Sequence, residues 1–280
     1  MAFGDRRDAY KVRDLHGLQY LLIDFKPNRC DSAVYMNVDI DVTEFVKFME
    51  KMKKENPGMT FYHGLVTVMA KAVYSKPFMN RFIADRKMYM HKNVSLASTI
   101  KEEFEDGSVE CLMNIIVDEK DTLLEISKQT KEKVDAIRQK KKAGIDDTAD
   151  FLGKLPQIIR VPLIGFVKWL DKKGWLPMSL MNDNLYYSTA ILTNLGTFKT
   201  EGIYHNLTNF GTSSSLIAFG EIREEKDGKY FMNFGATIDE RIADGFYFCT
   251  TLKLIEYIFA HPELLLEEAG KKVSIPKDER

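Results

Sequence analysis

Ile238-Asp239-Glu240-Arg241-Ile242-Ala243-Asp244-Gly245-Phe246 is the stretch on which the reading of this chain turns. An acid pair ends an apolar run. An apolar step follows, then Asp-Gly, then a pattern that predicts a helix over 246–260, closing on Pro262. Asp244 stands just before that helix, where an acid is favoured near the helix start, and Gly245 suits a tight approach. Immediately upstream, Asp227-Gly228 predicts a hairpin turn between runs at 221–223 and 230–238. Further upstream, Ile191-Leu192-Thr193-Asn194-Leu195-Gly196 has a hydroxyl residue leaving an apolar, strand-like run (186–192) and entering a turn. Another strand-like run covers 214–221.

The first half of the chain repeats this mixture. Val34, Met36, Val38, Ile40 and Val42 alternate with polar residues, which predicts a half-buried strand over 32–42. Thr43 is placed to cap a helix over 44–54, with Phe45, Phe48, Met49 and Met52 on one stripe, and Pro57-Gly58 ends it. A second helix is predicted over 62–75, before Pro77, and short strands near 87–90, 94–100 and 110–116. Asp121 opens a long charged helix over 122–142. Its part from 128 to 142 holds seven basic and two acidic residues, with no aromatic residue between them, and so reads as a solvated helix face. Strands and helices alternate and some connections are hairpins, which points to an α/β or α+β fold.

The segment 150–181 differs in composition. Lys154, Arg160, Lys168, Lys172 and Lys173 face two acids, Asp150 at its start and Asp171, among apolar residues that include Trp169 and Trp175. Pro156, Pro162 and Gly165 predict a break into short helices. Such a segment suits packing against protein, as a lid or subunit contact, or peripheral contact of 154–175 with an anionic membrane surface.

The overall composition is that of an ordinary folded protein: 280 residues, 40 Lys+Arg against 41 Asp+Glu, and 45% hydrophobic residues. No global positive field favours nucleic acid. Cys30, Cys111 and Cys249 are odd in number and widely spaced, so neither a disulfide framework nor a cysteine-based metal site is expected, and a cytoplasmic location fits. The five histidines make no HxxxH or HExxH pair, so no metal is expected. The N-terminus lacks a signal-peptide core, and no run reads as a bilayer span.

The two singled-out segments resemble the catalytic signature of the chloramphenicol acetyltransferase-like superfamily, which includes the catalytic domains of dihydrolipoamide acyltransferases from 2-oxo acid dehydrogenase complexes. The family motif is His-x-x-x-Asp-Gly, often within Asp-His-Arg-x-x-Asp-Gly. This chain matches it at Asp239, Arg241, Asp244 and Gly245. Thr193-Asn194-Leu195-Gly196 is similar to the family's Ser/Thr-x-Leu-Gly, Val38 to Thr43 to its early strand-to-helix junction, and Phe61 to Pro77 to its next helix. The likeness runs from about 33 to 262, with 150–181 as an elaboration. It implies a single domain over 1–280: an α/β, two-layer α+β sandwich with a mixed β-sheet flanked by helices and the helical insertion at 150–181. It further implies a homotrimer with active sites at subunit interfaces, a coenzyme A thioester (or dihydrolipoamide) as co-substrate, and a small-molecule acyl acceptor. Only about 30 residues precede the first predicted strand, so no lipoyl domain and no covalent lipoyl group are expected.

By the same resemblance Thr193 would hydrogen-bond the oxyanion of the tetrahedral intermediate, with Asn194 and Gly196 shaping its turn. Asp244 would be structural and pair with an arginine near the chain start, either Arg13 or Arg29. The departure is at Glu240, where the family carries its general-base histidine. An ordinary thiol titrates near about 8.5, imidazole near about 6.5 and glutamate near about 4.3. Passing a thiol proton to glutamate therefore costs about 3 kcal/mol more than passing it to histidine, roughly two decades in rate. Burial of a glutamate can remove that deficit. Three readings stay open for Glu240: general base, noncatalytic remnant, or ligand contact. His205, in the loop after Thr193, is a second candidate base, or else a surface-loop histidine. If the base is lost altogether, the chain is a catalytically silent trimeric scaffold that binds an acyl thioester or a partner protein.

Overall fold

The computed structural model describes residues 4–101, 110–139, 152–182 and 184–276. Among these, the strands are β1 (Ala9–Lys11), β2 (Ala33–Asp41), β3 (Arg81–Ala84), β4 (Lys87–His91), β5 (Val94–Lys101), β6 (Glu110–Val117), β7 (Ala190–Asn194), β8 (Ser215–Glu224) and β9 (Tyr230–Asp239). The main helices are α1 (Gly17–Phe25), α2 (Thr43–Glu55), α3 (Phe61–Ser75), α4 (Leu123–Gln139), α5 (Gln157–Lys173) and α6 (Gly245–Ala260). The large sheet has the order β2-β9-β8-β7-β5-β6. Its β8–β7 and β7–β5 pairs are parallel and the others antiparallel, so the sheet is mixed, as expected. A smaller antiparallel sheet, β1-β4-β3, stands apart from it.

Strand alternation builds the core. Ala190 and Leu192 of β7, Ile217 and Phe219 of β8, and Phe234, Ala236 and Ile238 of β9 are every second residue of their strands. They meet Phe45 and Met49 of α2, Val66, Met69 and Val73 of α3, Leu123 and Ile126 of α4, and Leu254, Ile255 and Ile258 of α6. The helices thus cover one face of the large sheet, and the chain over 196–214 crosses the other. β2 pairs with β9 along all of its nine residues, from Ala33↔Asp239 to Asp41↔Phe231, which carries the acid pair to the start of β2. The hairpin turn forms at Asp227-Gly228 as predicted, with Gly228 at φ +80°.

Four local expectations are corrected. Thr43 does not cap α2 but begins it: the Asp41 carboxylate accepts from Thr43 N (3.0 Å) and Thr43 Oγ1 (2.6 Å), because an acid two residues back is the stronger acceptor. The run at 186–192 is not all strand. Asn184 Oδ1 accepts from Tyr186 N and folds Leu185–Tyr187 into a 3₁₀ turn, so β7 begins at Ala190. The runs at 214–221 and 221–223 are one strand, β8, with a register shift between Phe219 and Ile222.

The fourth correction concerns the basic segment. It is not broken at Pro162 or Gly165: α5 runs through both, with Pro156 at its N-cap. Proline removes a hydrogen bond to the carbonyl four residues back, here at Ile158, and Ile158 is 83% exposed, so the freed carbonyl lies on an exposed stretch of the helix rather than in a packed core. The helix ends at Gly174, at φ +69°, whose N–H returns to the last turn. The predicted end of the 122–142 helix and the start of the 150–181 segment lie outside the described residues. Among the described residues no helix is long and apolar enough to cross a membrane.

Candidate functional site

The site begins where two strands part. β5 and β7 pair only from Leu96↔Ala190 to Ser98↔Leu192. Beyond that point β7 continues beside β8 to Asn194↔Phe219, while β5 continues beside β6 to Lys101↔Glu110. The gap between the diverging strands opens into a cavity of about 1100 Å³. Thr193, the first residue past the shared ladder, lines it, together with Ser98, Tyr62, His63, Thr130, Ser213 and His205.

The turn after Thr193 is fixed locally. Asn194 Oδ1 accepts from Gly196 N at 3.1 Å, and Leu195 N donates to Phe219 O at 2.8 Å. A side chain at Gly196 would lie 3.0 Å from Gly220 O. From there the chain returns over the open face of the sheet. Gly202 N donates to Asn233 Oδ1 at 2.8 Å, and Gly202 sits so close that a Cβ would be 2.8 Å from both Ala218 O and Gly235 N. This seat, with Leu207 buried beyond it, lowers His205 into the cavity. His205 Nε2 is buried there without a hydrogen-bond partner among the described residues.

The opposite wall comes from α3 and α4. Tyr62 OH bonds Ser98 Oγ, and burial pushes its phenol up to about 12. His63 Nδ1 lies 2.7 Å from Ser127 Oγ and accepts from Thr60 N at 3.4 Å. Burial, with Lys131 adding to it, pushes this imidazole down to about 4. Its Nδ1 accepts the backbone N–H, so the neutral ring carries its proton on Nε2. His63 is therefore a fixed neutral wall residue. Sequence reading missed it; the only signal was its place three residues after Thr60, where it closes a capping box.

The acid pair is in a different place. Asp239 is fully buried; Arg241 grips it through Nε (2.8 Å) and Nη2 (2.7 Å), and Arg29 Nε lies 3.8 Å away. Arg29 also donates to Thr208 O (2.7 Å), Gly211 O (3.1 Å) and Ile83 O (3.2 Å), so it ties the loop that carries His205 to the segment before β2. Burial holds its guanidinium down to about 10. Glu240 N donates to Ser32 O at 2.9 Å, and the Glu240 carboxylate accepts from Lys26 Nζ. Glu240 does not line the cavity, so one chain brings Thr193 and His205 together and leaves Glu240 outside.

The expected partner of Asp244 is corrected. Asp244 caps α6, accepting from Tyr247 N at 2.7 Å. Arg13 goes to Asp5 at 2.8 Å, and Arg29 goes to Asp239. An N-cap carboxylate is held at the helix end, whereas Arg29 is drawn to the acid buried beside it. Gly245 makes no tight approach either: a Cβ there would meet nothing within 4 Å, so the glycine leaves the helix start open. Among the described residues no group of three or more His, Cys, Asp or Glu side chains could hold a metal ion.

This is the architecture of the chloramphenicol acetyltransferase-like fold. A probable dihydrolipoamide acetyltransferase of Listeria monocytogenes superposes with a TM-score of 0.57 at 16% identity, covering 90% of this chain and 95% of that one. The cubic core of a pyruvate dehydrogenase multienzyme complex gives 0.58 at 13% identity, covering 91% and 94%. A chloramphenicol acetyltransferase gives 0.57 at 12% identity, covering 90% and 99%. At these identities the likeness is one of fold. Compared as a sequence, the chain matches no family model and no curated protein.

Proposed function

We propose that this protein is an acyltransferase that moves an acyl group between a thioester, of coenzyme A or dihydrolipoamide, and a small acceptor held in the cavity between β5 and β7. The observation that carries the reading is the pairing of Thr193 with His205 on that cavity, with His205 Nε2 buried and unpartnered among the described residues. An unsatisfied buried nitrogen has a free energy to gain from a group that hydrogen-bonds it, here the acceptor's X–H.

In the proposed step His205 Nε2 takes the proton as X attacks the thioester carbonyl. Thr193 Oγ donates to the oxygen that becomes negative in the tetrahedral intermediate. Collapse breaks the C–S bond, and the departing sulfur takes the proton back from His205. In this reading Glu240 is not the base, because Lys26 occupies its carboxylate. The relatives' fold includes a cubic multienzyme core, which supports assembly of this chain into an oligomer, with a homotrimer as our reading.

The Lys26–Glu240 pair favours one alternative, a catalytically silent scaffold that binds the thioester. Acyl transfer from acetyl-CoA, assayed over a panel of hydroxyl, amine and thiol acceptors, separates the two. We expect His205→Ala to lower the rate by about 10²–10⁴-fold and Thr193→Val by about 10²–10³-fold. Calorimetry showing coenzyme A binding, with no turnover on any acceptor, would establish the scaffold instead. Full activity in His205→Ala would remove His205 from the mechanism.

A further inference from the structure

We propose that the segment over 154–180, centred on α5, seats this protein on an anionic lipid surface. The inference does not depend on the acyltransferase reading. Among the described residues α5 is anchored along one side. Val167 and Leu170 pack on Leu176, Met181, Tyr187 and Phe210, a small cluster separate from the main core. Asp171 is buried, meets Arg6 Nη2 at 3.5 Å and accepts from Gly211 N at 3.0 Å. Lys173 Nζ donates to Asp85 at 3.0 Å.

Among the described residues the other side is apolar and exposed. Ile158 (83% exposed), Val161 (57%) and Trp169 (45%) rise from the outer face at helical spacing, with Pro162 and Gly165 between them. Trp175 (58%) extends the patch, and the rings of Phe166, Trp169 and Trp175 stand in file, with centroids 5.9 and 5.4 Å apart. At 17 residues α5 is shorter than the about 20 needed to span a bilayer, so it fits along a surface.

Charge selects the occupant. Lys154, Lys168 and Lys172 are exposed, and Arg160 lies among them. The single acid of 154–180 is Asp171, buried against Arg6, so every exposed charge of the segment is positive. The whole chain has a formal charge of −1, so this excess is local and directional. A lipid headgroup layer offers anions at the level of the lysine ammonium groups and hydrocarbon beneath the tryptophans, the arrangement that Lys and Trp side chains favour at an interface. A protein surface covering the same face would need acidic side chains placed around an apolar centre.

The chain's only two tryptophans, Trp169 and Trp175, lie in this patch and report on it without a label. Intrinsic fluorescence of the full chain is titrated with phosphatidylglycerol vesicles and with phosphatidylcholine vesicles. The expected result is a blue shift with the first, weakened by added salt, and none with the second. The double variant K168E/K172E, its fold checked by circular dichroism, is expected to lose at least about tenfold in vesicle affinity. No shift with phosphatidylglycerol, or unchanged affinity in the double variant, overturns the proposal. So does a Trp emission already blue-shifted and shielded from quencher without vesicles, in an oligomer that Ile158→Asp dissociates; that result assigns the face to a second copy of the chain.

Discussion

Asp239 and Glu240 are adjacent carboxylates with opposite physical fates. Asp239 is fully buried between the guanidiniums of Arg241 and Arg29. Glu240 pairs with Lys26 near the surface, with the two side chains 28% and 41% exposed. Breaking a buried pair leaves uncompensated charge and costs about 3–5 kcal/mol, whereas an exposed pair is worth about 0–1 kcal/mol. Asp239→Asn is therefore expected to lower unfolding free energy by about 3–5 kcal/mol in urea denaturation, and Glu240→Gln to change it by less than about 1 kcal/mol. Comparable losses in the two variants would contradict this assignment. Glu240→Gln is also expected to leave acyl transfer within about twofold. A loss of two decades would return the acid to the proposed chemistry. The sequence marked both acids but could not rank them, because the partners that distinguish them, Arg29 and Lys26, lie more than 200 residues away in the chain.

At the level of elements, the strap over 196–214 decides whether a site exists. It lies on the open sheet face because three glycines, Gly202, Gly220 and Gly235, let backbone meet backbone there. In Gly202→Ala a Cβ would press on Ala218 O and Gly235 N at 2.8 Å, and neither main-chain atom can swing aside as a side-chain tip can. The substitution is expected to cost about 1–3 kcal/mol and to lift His205 from the cavity. The proposed acyl transfer should fall more than the thermal midpoint suggests, and an unchanged rate would separate the strap's seating from function. The glycines were visible in the sequence, but their mutual approach was not. The same limit applies to α5: Pro162 reads as a breaker locally, and only the exposure of Ile158 shows why the helix continues.

At the scale of the whole molecule, two buried histidines couple stability to pH. His63 and His91 are both pushed down to about 4 by burial. In the unfolded chain each titrates near about 6.5. Between about 6.5 and 4 the unfolded state binds more protons, so stability is fully present above about 6.5 and is lost as pH falls through that window. The upper bound is about 3 kcal/mol per histidine. Urea midpoints measured from pH 7.5 to 5 should fall steadily with acidification, and His91→Gln should flatten part of the slope; a flat wild-type profile would refute the assignment. What the sequence determined by itself was local: strand alternation at 34–42, the Asp227-Gly228 hairpin, and a motif whose likeness pointed to the fold. Each depends on residues within a few positions of one another, where period and backbone preference act. Only the tertiary structure decided that β5 and β7 part at Ser98 and Leu192, that Thr193 and His205 share the space between them, and that Arg29 belongs to Asp239 rather than Asp244. Those outcomes depend on strand register and on the burial of charge between segments far apart in the chain, and neither is written in the spacing of neighbouring residues.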